Sequence, residues 1–242
     1  MKIILSPNPY RDKQFQTALQ AKKILEECGC ETCMCLPFDI DRDFELPRSI
    51  AFSDLKSEIR SADMLICFGG DGTILHTSKI ATQHNLPVLG VNIGTMGFIA
   101  ELESGELELL RKIPTKEYTL ENRSMLDITV TNGTQQTFHE IALNDAVVTK
   151  GAIARVVQIA ICCDGVEATS FSGDGVILCT PTGSTAYSMS AGGPIMEPSA
   201  KNLLITPICA HAMLAKSIVL GPRRVVTIRV SKIGRHNAFL SV

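Results

Sequence analysis

Met64-Leu65-Ile66-Cys67-Phe68-Gly69-Gly70-Asp71-Gly72-Thr73 is an apolar run that ends in three glycines, one carboxylate and one hydroxyl. An amphipathic stretch begins near Thr73. That order predicts a strand, a tight turn and a helix start. Glycine lets the backbone come close to an anion, and the first N–H groups of a helix favour phosphate. Between Asp63 and Glu101 the only formal charges are Asp71 and Lys79. A lone carboxylate in so apolar a segment marks Asp71 as held for chemistry.

The flanking sequence repeats the alternation of strand and helix. Residues 2–6 predict a first strand ending at Ser6-Pro7-Asn8-Pro9, and a helix follows over 12–28. Ala18, Ala21, Leu25 and Cys28 share one face of that helix, and Gly29 stops it. A second strand is expected over 31–36, a third over 62–68, a helix over 73–84 and a further strand over 87–91. The gap of about 20 residues between the last two strands suits a right-handed crossover. The Asp-rich stretch 39–48 reads as a surface loop. Residues 1–100 are therefore expected to form an open, mostly parallel, Rossmann-like α/β domain. Ligands in such sheets lie outside the carboxyl ends of the strands, where Asp71 falls.

After about residue 115 the pattern changes to period 2, as in Met125-Leu126-Asp127-Ile128-Thr129-Val130. Asn132-Gly133 is a hairpin turn signal between that segment and 136–141. Residues 156–163, Asp164-Gly165 and 166–170 predict another hairpin, and 225–230 and 238–242 predict further strands. Residues 101–242 are expected to form a mainly β, sandwich-like second domain, so the fold class is α/β plus all-β.

The 242 residues are 45% apolar and 20% charged, with net charge −2. That balance fits a globular protein and gives no global field toward nucleic acid. After Glu197 there are seven basic residues and no acidic one, which reads first as a solvated strand face. No apolar stretch reaches the length of a membrane span, so no membrane partner is expected. The start of the chain lacks a secretory signal pattern. With nine cysteines, this favours a reducing cytoplasm and free thiols. The group Cys28, Cys30, Cys33 and Cys35 lacks the paired C-x2-C spacing of common zinc sites, so no metal site is expected there. It reads as small apolar side chains at a helix-to-strand transition.

Two further segments carry chemistry. Gly173-Asp174-Gly175 leads through Thr180-Pro181-Thr182-Gly183-Ser184-Thr185-Ala186-Tyr187. From Gly175 to Met196 there is no formal charge but many hydroxyls, which donate and accept as sugar hydroxyls require. Tyr187 adds an aromatic face. Asn144-Asp145 is a polar pair set between apolar residues. Asn can bind both edges of an adenine, and Asp can accept from a ribose hydroxyl. A Ser/Thr-rich turn and a strand-end turn are the bland alternatives. No Walker motif, kinase H-R-D set or G-x-G-x2-G fingerprint is present.

Gly69-Gly70-Asp71-Gly72-Thr73, Asn144-Asp145, Gly173-Asp174-Gly175 with 180–187, and Ala191-Gly192-Gly193-Pro194 occur in this order in the NAD kinases. The sequence resembles a bacterial-type member of that family over nearly its whole length. Thr206-Pro207-Ile208 with His211 resembles a further family segment. The glycine box alone is shared with diacylglycerol-type lipid kinases and, more loosely, with phosphofructokinases; the 180–187 run is far more specific.

The resemblance implies phosphorylation of the adenosine ribose 2′-hydroxyl of NAD by ATP with Mg²⁺ or another divalent cation. It implies Asp71 as proton acceptor and Gly69, Gly70, Gly72 and Thr73 as the phosphate-approaching turn. Phe98 would pack on the adenosine. Asn144, Asp145, Arg155, Asp174, Thr182, Thr185, Ala186, Tyr187, Ser188, Met189 and Ser190 would bind the dinucleotide. It also implies a homo-oligomer, dimer or tetramer. Relatives carry Arg-Pro where this chain has Lys216-Ser217, so a local contact or turn is expected to differ. Relatives also continue past Val242 with Asp-Gly and more strands, so the second domain is expected to be incomplete at its C-terminal end. The alternatives are a lipid kinase, against which the hydroxyl-rich 179–190 segment argues, and a non-catalytic nucleotide-binding regulator.

Overall fold

The computed structural model describes residues 1–94, 97–151, 156–211, 215–231 and 238–242. They form two compact units, Met1–Leu120 and Glu121–Val242. In the first, β1 (Lys2–Pro7), β2 (Glu31–Cys35), β3 (Phe52–Ser53), β4 (Met64–Gly69), β5 (Val88–Asn92) and β6 (Leu102–Glu103) make one parallel sheet. Its order is β3-β2-β1-β4-β5-β6. The helices are α1 (Gln16–Glu27), α2 (Leu55–Glu58) and α3 (Asp71–Thr82).

A parallel sheet covered on both faces needs strands that are apolar throughout, and every residue of β4 is buried. Alternate residues serve opposite cores. Ile3, Leu5, Ile66 and Phe68 pack in one core with Ala18, Ala21 and Leu25 of α1. Ile4, Leu65 and Cys67 pack in the other with Ile74 and Ala81 of α3. The 3-10 stretch Leu107–Lys112 adds Leu107 and Leu110 to the α1 core, so residues 101–120 fold with the first unit. The chain runs outward from β1 in one direction and from β4 in the other. The switch of direction lies between those two neighbours.

Helix α1 starts later than its apolar spacing predicts. A 3-10 turn, Lys13–Phe15, comes first, with Gln14 and Phe15 at φ 54° and 59°. Buried Asp12 holds this arrangement: its carboxylate accepts from Thr17 N (3.0 Å) and Ala18 N (3.0 Å), satisfying donors that the helix leaves open. Of the cysteines that follow, Cys30 and Cys35 behave as small apolar side chains, while Cys28 and Cys33 are half-buried and Cys28 Sγ accepts from Arg111 Nη1 (3.6 Å). Cys30 and Cys35 are buried in opposite cores, and among the described residues no cluster of His, Cys, Asp and Glu could hold a metal. Burial pushes the Cys67 thiol up to about 12, which keeps it inert.

The second unit is built from antiparallel strands. They are β7 (Leu126–Asn132), β8 (Gln135–Ala142), β9 (Asp145–Lys150), β10 (Val157–Cys163), β11 (Val166–Gly173) and β12 (Gly175–Cys179). β13 (Leu203–Ile208), β14 (Ile218–Leu220), β15 (Val226–Ser231) and β16 (Ala238–Ser241) complete it, with the short helix α4 (Tyr187–Ser190). The sheet β11-β10-β15 packs on the sheet β14-β13-β12-β9-β16 through Val157, Ile159, Ile161, Val176 and Ile205. This is the sandwich-like arrangement expected. Both hairpins form where their turn residues predict: Gly133 takes φ 60°, and Asp164 and Gly165 take 51° and 84°. No helix of the described residues is long and apolar enough to cross a membrane.

Candidate functional site

Polar residues that fit a ligand site gather in both units among the described residues. In the first, the loops that follow β1, β2, β4 and β5 enclose a cavity of about 340 Å³. Asn8 and Arg11, Phe38, the turn Gly70 to Thr73, Ile93 and Gly97 line it. It lies outside the carboxyl ends of β1 and β4, at the switch point, where ligands of open α/β sheets bind. Gly69 ends β4 and Gly70 caps α3, so the helix starts at Asp71, two residues earlier than predicted.

Among the described residues, backbone N–H groups hold the Asp71 carboxylate. It accepts from Phe98 N (3.0 Å) and Ile99 N (3.3 Å). Gly97 makes that approach possible: a Cβ there would stand 2.2 Å from Asp71 Oδ1. The Phe98 ring is 68% exposed, open to a planar partner. Thr73 is buried, and its Oγ1 accepts from Asn8 Nδ2 (2.8 Å). The glycine turn is thereby tied to the loop after β1.

In the second unit, Asn144 sits between β8 and β9, and the hydroxyl-rich run leaves the end of β12 beside it. Thr180 N donates to Asn144 O (2.9 Å), and Thr180 Oγ1 donates to Leu143 O. The run continues as a 3-10 turn, Thr182–Thr185, and then as α4. Asn144 Oδ1 is buried with no hydrogen-bond partner among the described residues. Such an atom is an acceptor waiting for a donor. Tyr187 and Met189 are exposed beside Ala186, and Ser190 is exposed too. Thr185 Oγ1 donates to Thr182 O (3.1 Å). Thr182 and Ser188 are both buried, and the Ser188 and Thr206 hydroxyls hydrogen-bond to each other (2.8 Å). Ser217, in the pair that departs from the family pattern, reaches the same Thr206 hydroxyl (3.4 Å).

Asp174 lies elsewhere. It precedes β12, while Thr182 follows it, so roughly 17 Å of strand separates the two. Its Oδ1 pairs with Lys150 Nζ at 2.6 Å. Arg155 falls outside the described residues.

Half-buried Asp145 begins β9, and burial raises its carboxyl above the ordinary carboxylate range. The folded chain thus binds a proton that the unfolded chain releases, and stability falls as pH rises from the ordinary carboxylate value through the raised one. Asp145→Asn removes that loss. We expect the variant to melt higher than the parent at pH 8, with the gap shrinking toward pH 4. Thermal melts at the two pH values check this, and an unchanging gap would show that Asp145 does not titrate in that window.

The family models for the ATP-NAD kinase N-terminal and C-terminal domains match residues 3–118 and 143–242. An NAD kinase of Ruminiclostridium cellulolyticum is 35% identical over 246 residues, covering 100% of this chain and 83% of the relative. The chain belongs to the NAD kinase family. An NAD kinase of Acetivibrio thermocellus is 31% identical with the same coverage. Among solved structures, a yeast NADH kinase complexed with NADH aligns with TM-score 0.80 and 23% identity, over 100% of this chain and 80% of that one. An Archaeoglobus fulgidus NAD kinase in complex with ATP aligns with TM-score 0.72 and 24% identity, over 100% and 83%. At those identities the likeness carries the fold.

The sequence of this NAD kinase family member does not mark Asn8, Arg11, Phe38 and Ile93 as cleft residues, or Lys150 as the partner of Asp174. Their only signal is topological: the first four follow strands whose carboxyl ends meet at the cleft.

Proposed function

We propose that the chain transfers the γ-phosphoryl group of ATP to the 2′-hydroxyl of the adenosine ribose of NAD, giving NADP and ADP. The carrying observation is the Asp71 carboxylate, fixed by two backbone N–H groups in a cleft at the switch point of a chain of this family. A ribose hydroxyl is a weak nucleophile, and a positioned carboxylate takes its proton as the bond to phosphorus forms. The proton passes from the 2′-oxygen to Asp71, and that oxygen bonds to Pγ. The bond from Pγ to the β,γ-bridging oxygen breaks, and ADP leaves with the electron pair. Asp71 then releases the proton to solvent.

Gly69, Gly70, Gly72 and Thr73 form the turn that the donor's phosphates approach. Asn144 and Asp145 take the adenine and ribose, and Thr182 and the segment from Thr185 to Ser190, with exposed Tyr187, complete the dinucleotide's surroundings. Phe98, Asp174 and Arg155 keep the roles that the resemblance gives them. Mg²⁺ fits the chemistry of the cleft. It needs only one or two carboxylates when phosphates supply the other oxygens, and Asp71 is the acidic side chain among the described cleft residues. When bound, the cation would neutralise phosphate charge, held mainly by the donor's own oxygens beside Asp71, which keeps an oxygen free for the ribose proton.

The family resemblance extends this proposal to a cytoplasmic homo-oligomer. Exposed Val166, Val219, Val225 and Phe239 on the second unit supply apolar surface for one, and sedimentation tests it.

The purified chain, given ATP, Mg²⁺ and NAD, should form NADP, detected with an NADP-specific dehydrogenase. NAD binding without NADP would favour the regulator. Label passing from ATP to diacylglycerol but not to NAD would favour the lipid kinase.

A further inference from the structure

We infer that Arg11 is the cation that grips the donor's terminal phosphates in the cleft that holds Asp71. This rests on the kinase function proposed above. Arg11 lines the same cavity as Asp71 and the glycine turn. It is exposed and makes no ion pair among the described residues. Arg111 of the same unit, by contrast, is held by Glu27 and Glu108.

Its position is built rather than accidental. Asn8 organises the loop after β1: its N–H donates to Phe68 O (2.8 Å), and its carbonyl accepts from Arg11 N (3.1 Å) and Asp12 N (2.9 Å). Its side chain donates to Thr73 Oγ1 and accepts from Tyr10 N (3.0 Å). Asp12 then caps α1 through Thr17 and Ala18. Arg11 is thus fixed at its backbone between the central strand pair and a buried cap. Its Nη1 lies over Gly94, 3.4 Å from where a Cβ would stand.

The chemistry calls for such a group. Phosphoryl transfer depends on alignment and on neutralising charge that spreads over the equatorial oxygens of the transferred group. Asp71 brings negative charge to the same cavity as the anionic donor, and a fixed cation on the protein adds to the balance that Mg²⁺ would give when bound. Arginine suits that role, because its planar fork gives two parallel N–H bonds to phosphate, whereas lysine gives a point charge.

The test uses the purified chain and two readouts. In turnover with saturating NAD, Arg11→Ala should raise the KM for ATP at least ~10-fold and lower kcat/KM for ATP at least ~10²-fold, as expected for a lost charged contact that tightens in the transition state. Arg11→Lys should recover part of the loss, and added guanidinium ion should partly rescue Arg11→Ala. In calorimetry, binding of tripolyphosphate should weaken at least ~10-fold in Arg11→Ala, while NAD binding and the melting temperature stay at the parent values. Unchanged tripolyphosphate affinity, or equal losses in Lys and Ala variants without guanidinium rescue, would overturn the assignment. If the parent chain binds tripolyphosphate through Arg11 yet makes no NADP, the phosphate grip stands and the kinase proposal fails.

Discussion

Asp71→Asn should lower kcat for NADP formation by at least ~10²-fold, the lower end of what a general base contributes. The substitution keeps the shape of the side chain but removes the ability to take a proton. It also changes a local pairing. Two backbone donors, Phe98 N and Ile99 N, face the two carboxylate oxygens, and an amide offers one oxygen and one donating NH₂ group. One of those bonds is therefore lost, at a cost of about 1 kcal/mol of stability. NAD affinity, measured by calorimetry, should stay within about twofold of the parent, because the pairing lost is internal to the chain. A large fall in turnover with a small fall in melting temperature identifies chemistry. Near-normal turnover would remove Asp71 from the mechanism, and an equally large loss of NAD affinity would recast it as a binding group.

The strand, turn and helix around Asp71 were legible because three independent signals coincide there. The run 64–68 is apolar throughout, three glycines follow it, and a helical period begins at once. The neighbouring β1 and β5 are legible for the same reason, since a doubly covered sheet makes its strands apolar on both faces; β2, Glu31-Thr32-Cys33-Met34-Cys35, is buried only at its end. In the second unit the period-2 strands and their turn dipeptides stood out. β12 and β13 did not. Each is short and central, and residues on both faces of β12 are buried, so neither alternates clearly. In the sequence β12 merges with the hydroxyl-rich run that follows it.

The candidate site was half legible. Motif residues such as Asp71 and Asn144 interrupt apolar surroundings and announce themselves. Arg11 and Phe38 sit among ordinary polar and turn residues. They become cleft residues only when the sheet order puts the ends of β1 and β2 beside the end of β4. The separation of Asp174 from Thr182 is of the same kind. The two are close in sequence, but the intervening strand is extended and sets them at opposite ends.

Gly183→Ala tests the joint between the two motif segments of the second unit. Thr180, at the start of the hydroxyl-rich run, is bonded to the backbone of Leu143 and Asn144, and Gly183 packs directly on Asn144. A Cβ at 183 would stand 2.2 Å from Asn144 O and 2.5 Å from its carbonyl carbon. Those atoms are backbone, and Asn144 O already accepts from Thr180 N, so neither partner can move without breaking the pairing. We expect a loss of about 3 kcal/mol, the upper end for overpacking, and a melting temperature lower by about 6–12 °C for a chain of this size. NAD binding should weaken as well, because Asn144 and the 182–190 segment would part. Gly105→Ala is the control: nothing lies within 4 Å of its Cβ position, and it should melt with the parent. A Gly183→Ala variant that melts and binds NAD like the parent would show that this contact yields freely, and that the two segments need not be locked together for the dinucleotide to bind.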